Sequence, residues 1–279
     1  MKKPALFLFC IVSIIATAVI YVASRTASSS LAAALPQSAN PSNGAPTGPV
    51  LVELFTSEGC SDCPSADTLL AQLDKDQSVA GASVIVLEHH VDYWNGDGWP
   101  DPFSSTIATD RQRRYAFGRS GDQIYTPEMI VDGGDGFVGS NARLAQRAIA
   151  AAAKMPKASV KLDWTGAESN LSRQLRVNVS PLQQAAGDRP LVFLAITENH
   201  LHSDVKRGEN AGRALDHSGV VRHFAQIGKA GNPTKDGFVF DSPFTVKFGA
   251  DWKRPDLHAV VFIQDPKSMR VLGAAALAY

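Results

Sequence analysis

Between residues 50 and 154, short apolar runs alternate with segments whose apolar positions recur every three or four residues. Val50-Leu51-Val52-Glu53-Leu54-Phe55 and Val84-Ile85-Val86-Leu87 are nearly continuous apolar runs, the pattern of buried strands, and Glu53 alone interrupts the first. Residues 64–75 place Ala66, Leu69, Leu70 and Leu73 at helical spacing. A more polar helix is predicted from about Ser104 to Phe117, with Arg111, Arg113 and Arg114 on a solvated face. Tyr125 to Gly133 reads as a strand entered through Thr126-Pro127, and Phe137-Val138-Gly139 as its hairpin partner. Ser140 is placed to cap an alanine-rich helix running to about Lys154. The order βαβ-α-ββ-α implies a mixed sheet flanked by helices, an α/β domain over 50–156.

After Met155-Pro156 helical periodicity disappears. Strands are expected at Val160–Trp164, Leu171–Val179, Leu191–Thr197, Val220–Ile227, Phe238–Phe248, Ala259–Gln264 and Val271–Ala276. Leu175-Arg176-Val177-Asn178-Val179 alternates as a half-buried antiparallel strand does. Short strands at this density predict an all-β, sandwich-like domain over 157–279, with a long loop from Glu198 to Ser218.

The first 49 of the 279 residues have a different texture. Lys2 and Lys3 precede an apolar run from Ala5 to Val22, so residues 1–24 fit a signal peptide or a membrane anchor. Residues 25–49, rich in Ser, Ala, Pro, Asn and Gly, read as a flexible linker. Both alternatives export the remainder, which is expected to be periplasmic or secreted, with residues 5–22 as its anchor to the inner membrane if they are retained. Cys10 falls in the apolar run, leaving Cys60 and Cys63 as the exported cysteines. With 27 basic and 27 acidic residues, the chain lacks the basic excess of a nucleic-acid binder.

Cys60-Ser61-Asp62-Cys63 sits between the first strand and the first helix, the setting of a dithiol redox centre. Free backbone N–H groups at a helix start favour a thiolate. Cys60 is the expected attacking thiol and Cys63 the resolving one; an inert disulfide is the plain alternative. Asp62 opposes a thiolate and a nearby imidazolium favours one, so the direction of electron flow stays open. Glu53 reads either as a proton shuttle with a desolvated carboxyl or as the partner of an arginine. His89, His90 and Asp92 follow the second strand and should face the Cys60 loop. That arrangement offers a second class of function, copper or zinc binding by Cys60, Cys63 and His90. Tyr93, Trp94 and Trp99 are candidates for an aromatic wall. Glu209, Asn210, Arg213, His217, Arg222 and His223 form a polar set in the second half, best read as loop anchors.

Strand–Cys60-x-x-Cys63–helix followed by Thr126-Pro127 resembles the thioredoxin superfamily. The resemblance implies a cis Pro127 facing the dithiol, with client peptides docking on Tyr125, Thr126 and Trp94. More narrowly, Glu53-Leu54-Phe55-Thr56-Ser57-Glu58-Gly59-Cys60, His90-Val91-Asp92-Tyr93-Trp94, Gly208-Glu209-Asn210-Ala211-Gly212-Arg213 and Val220-Val221-Arg222 resemble the DUF1223 family of exported bacterial proteins. That family joins a thioredoxin-like domain to a β-rich tail. Cys60, Cys63, Pro127 and Glu53 would then carry thiol–disulfide exchange with a protein client and a membrane redox partner; the alternative of another class is a non-catalytic adaptor whose thioredoxin-like half scaffolds the tail. No dissociable cofactor is implied, nor a nucleic-acid partner. The chain departs from ordinary thioredoxins in lacking Trp before the first Cys and Gly-Pro between the two.

Overall fold

The computed structural model describes residues 48–117, 123–169, 171–180, 189–231 and 240–279. The expected leader, nearly all of the expected linker, Cys10 and Phe238 lie outside the described residues. The first half runs β1 (Val50–Thr56), α1 (Pro64–Asp76), β2 (Val84–His90), α2 (Thr106–Ala116), β3 (Glu128–Val131), β4 (Phe137–Val138) and α3 (Ala142–Ala152). Ser105 caps α2 by accepting the Ala108 N–H, 3.2 Å. Asn141, not Ser140, caps α3 by accepting the Leu144 N–H, 3.1 Å. No helix among the described residues is long and apolar enough to cross a membrane.

The second half contributes β5 (Val160–Ser169), β6 (Ser172–Val179), β7 (Leu191–Glu198), β8 (Leu201–Asp204), β9 (Ala214–His217), β10 (Val220–Lys229), β11 (Phe240–Lys247), β12 (Leu257–Gln264) and β13 (Val271–Ala278). The β8–β9 hairpin lies inside the expected long loop.

The result is a mixed α/β fold built on one eight-stranded sheet, ordered β13-β12-β7-β10-β2-β1-β3-β4. Strands expected in a separate second domain thus hydrogen-bond into the same sheet as β1 and β2. The seam is narrow: Val220 bridges Glu88 in parallel, and the Glu88 N–H donates to the Gly219 carbonyl, 2.8 Å. Gly219 fits there because its φ is +73° and a Cβ would lie 2.7 Å from Val86 Cγ2. A second sheet, β11-β6-β5, lies against β7 and β12. Leu175, Val177 and Val246 pack there with Val192, Leu194, Val261 and Ile263, a two-layer packing of limited extent.

The apolar runs of β1 and β2 are explained by burial on both faces. On one face Val50, Val52, Leu54, Val84 and Val86 meet Ala66, Leu70 and Leu73 of α1 and Ile149 of α3. On the other, Leu51, Ile85 and Leu87 meet Phe193, Val260, Phe262, Val271 and Ala274 from the second half. The sheet curls far enough for the Val271 N–H to reach the Asp132 carbonyl beyond β3, 2.9 Å.

Candidate functional site

Cys60 and Cys63 are joined as a disulfide, with their Cα atoms 5.4 Å apart. Cys63 is the residue before α1, and Pro64 opens the helix where a missing N–H costs nothing. The Cys63 carbonyl accepts the Ala66 and Asp67 N–H groups at 2.8 and 3.1 Å, fixing the bridge to the first turn. Ser61 and Asp62 are exposed, but Cys60 is 2% and Cys63 0% exposed. The bridge therefore lies directly beneath the surface.

The loop that carries it is held by the second half. Buried Asn210 donates its amide to the Glu58 and Cys60 carbonyls at 2.8 and 2.9 Å, and accepts from Arg213 at 2.9 Å. The Glu209 carboxylate accepts the Ser61 N–H, 3.0 Å. The Gly208–Arg213 segment thus straps the Cys60 loop across a separation of about 150 residues in the sequence.

On the other side, Trp94 donates to the Thr126 hydroxyl at 2.7 Å, and a Cβ on Gly59 would lie 3.1 Å from Trp94 Cβ. Phe55 pairs with Glu128, which puts Pro127 one residue beyond the ladder, level with the end of β1. The Thr126–Pro127 peptide is cis, and Pro127 is buried. Tyr125 is 40% exposed, its carbonyl accepting from Gln112 at 2.7 Å. Thr126, Pro127, Trp94 and the disulfide loop thus form one neighbourhood.

Glu53 lies elsewhere. Strand alternation turns it away from α1, and both its oxygens accept from Arg111 at 2.9 Å. Tyr115 and His89 complete its shell. Burial alone would raise its pKa, but Arg111 and His89 outweigh burial and hold the carboxyl well below the usual range. An acid held this firmly as an anion is a poor proton shuttle near neutral pH. Arg111 itself is 3% exposed, contrary to the solvated face expected for it. Its guanidinium lies among the rings of Tyr115, Phe193, Phe224 and Phe262 at 4.4–5.3 Å.

Sequence reasoning missed Asp67, one turn past Cys63 on the same side of α1 and 5% exposed. Its carboxylate accepts from Thr56 at 2.6 Å. Burial, reinforced by the Glu88 charge, pushes its pKa up to about 7. The available signal was its place in the helix's apolar stripe, between Ala66 and Leu70.

His90 does not turn toward the cysteines. Its Nδ1 lies 2.7 Å from Asp101, and its Nε2 points toward Glu88 and His217. His217 contacts Glu88 through Nδ1 at 2.8 Å and Glu58 through Nε2 at 3.2 Å. Burial opposes charging both rings, yet the carboxylates win: His217 is raised to about 10 and His90 well above its ordinary value. Among the described residues, metal-ligating donors converge at Glu88, His90 and His217, and neither cysteine joins them.

An α/β chain with a large mixed sheet and a disulfide at a strand–helix turn is the class these features define. The DUF1223 family, described as a protein of unknown function, matches residues 51–264, and the chain belongs to it. Protein AGR_C_4864 of Agrobacterium tumefaciens is 25% identical with a TM-score of 0.60, covering 83% of this chain and 95% of that one. HBP35 of Porphyromonas gingivalis is 14% identical with a TM-score of 0.62, covering 84% of this chain and 76% of that one, a likeness of fold alone. No curated protein matches the chain.

Proposed function

We propose that the protein is an exported thiol–disulfide oxidoreductase of thioredoxin type, acting through Cys60 and Cys63 on a protein client. The observation that carries this reading is the Cys60–Cys63 bridge at the β1–α1 turn, with Pro127 immediately before the neighbouring strand β3. In the oxidising direction a client thiolate attacks Cys60 Sγ, the Cys60–Cys63 bond breaks, and Cys63 leaves as a thiolate that takes a proton. A second client thiolate attacks the client sulfur of the mixed disulfide, releasing Cys60. The client gains a disulfide and the protein a dithiol. The same steps reversed reduce a client. Asp67, one turn from Cys63 and with its pKa pushed up to about 7 by burial, is the group assigned to exchange the resolving proton. Tyr125, Thr126 and Trp94 form the docking edge. Access to Cys60 requires the Gly208–Arg213 strap to part.

Reactivity tests the reading. Insulin reduction should vanish in Cys60→Ser, and Cys63→Ser should accumulate mixed disulfides with added client. The burial of both cysteines favours a second reading, an inert structural bridge. A reduction potential below about −300 mV together with inactivity toward every client tried would establish the inert bridge and remove the enzyme.

A further inference from the structure

Glu88, His90 and His217 form a buried donor set that thiol–disulfide exchange does not use. All three are at most 2% exposed, and they offer one ligand atom each within 4.8 Å of one another. Glu88 Oε1 sits at the centre, 2.8 Å from His217 Nδ1 and 3.4 Å from His90 Nε2. Tetrahedral ligands at zinc bond lengths stand about 3.3 Å apart, so the three need only a small adjustment to share one ion.

Two further observations point to a ligand. His90 Nε2 is a fully buried ring nitrogen with no hydrogen-bond partner, off the line of the Glu88 oxygen. A buried imidazole nitrogen left this way is costly unless something binds it. Secondly, the distal nitrogen of each imidazole rests on its own carboxylate: His90 Nδ1 on Asp101 at 2.7 Å, His217 Nε2 on Glu58 at 3.2 Å. Each carboxylate is itself fixed. Asp101 accepts the Glu58 and Phe103 N–H groups, and Glu58 accepts from Trp99. The Ser218 N–H holds the far oxygen of Glu88 at 3.0 Å. Carboxylate–imidazole–metal chains of this form orient the ligands of metal centres and set their tautomers.

We infer that Glu88, His90 Nε2 and His217 Nδ1 bind a divalent transition ion, zinc foremost, which displaces the protons these two nitrogens carry in the metal-free protein, with Asp101 and Glu58 as positioning residues. Two imidazoles and one carboxylate suit a borderline cation rather than calcium or magnesium, which take oxygen ligands. The ion would tie β2 to β9, and with it the strap that holds the Cys60 loop. The site shares His90 with the centre of Cys60, Cys63 and His90 expected from the sequence but uses neither cysteine, and it stands whether or not the disulfide exchanges.

The test uses the full chain carrying no histidine tag and purified without chelator. Elemental analysis should find one zinc per chain. After removal with dipicolinate, Zn²⁺ titration should restore it and raise Tm. Asp101→Asn should weaken zinc binding about 10–100-fold, and His90→Gln with His217→Gln by more. The Cys60→Ser/Cys63→Ser double variant should bind normally. The Co²⁺ form of the wild-type chain needs no variant: imidazole and carboxylate ligation gives weak visible bands without intense thiolate-to-metal absorption. A thiolate band, binding lost with the cysteines, or no zinc on isolation and none on titration would each overturn the inference.

Discussion

Asn210→Ala should speed reduction of the Cys60–Cys63 disulfide about 30-fold. The side chain is buried and donates to the Glu58 and Cys60 carbonyls at 2.8 and 2.9 Å. A typical internal hydrogen bond contributes a net of about 1 kcal/mol, so losing both favours the open loop by about 2 kcal/mol. Every 1.4 kcal/mol is a factor of ten in population. If a reductant meets the bridge only when the strap parts, the rate follows the open fraction. The assay is single-turnover reduction by a phosphine, quenched with an alkylating reagent and read by mass spectrometry. Alanine also leaves the two carbonyls unpaired when the loop closes, which pushes in the same direction. A rate within twofold of wild type, with the circular dichroism spectrum unchanged, would refute the reasoning. The bridge would then be reached without moving residues 208–213.

Two other expectations concern buried charge. Arg111→Met leaves the Glu53 carboxylate without its guanidinium and should cost about 3–5 kcal/mol in urea unfolding at pH 7. Adding Glu53→Leu should recover much of that, whereas a loss below about 1 kcal/mol for the single variant would show the pair unimportant. Asp67 keeps a proton in the native state that the unfolded chain gives up above its ordinary value of 3.8. Its contribution to stability therefore falls as pH rises from about 4 to 7, by at most about 1.4 kcal/mol per unit. Asp67→Asn removes that slope, so the variant should gain on wild type between urea midpoints measured at pH 5 and pH 8. An unchanged difference would contradict the raised pKa.

The first half was legible because its strands are apolar at successive positions, which only burial on both faces explains. What covers the second face was not legible: Phe193, Val260 and Phe262 lie more than a hundred residues away, and pattern alone assigns no partner. Hence a single shared sheet replaced a separate sandwich as the frame of the second half. The disulfide loop and Thr126-Pro127 were visible as motifs. Arg111 was not, since Asp110, Arg113 and Arg114 beside it give the look of a solvated face. The hint lay in Glu53, a carboxylate inside a buried strand that must find a cation. His217 was grouped with loop residues because β8 and β9 are four residues each and offer Leu201 and Leu215 as their main apolar positions. Glu88, His89 and His90 look like a strand's polar exit, yet all three are buried, because the seam with β10 and the Trp99–Asp101 loop close over them.

Because Val271 and Ala274 of β13 lie over Leu51, Ile85 and Leu87, strands made early finish their interior with one made much later. A nascent chain halted near residue 156 would present an oily, half-roofed surface to its surroundings. Escort by a holding chaperone until β13 has been made suits such an architecture better than stepwise maturation of its two halves.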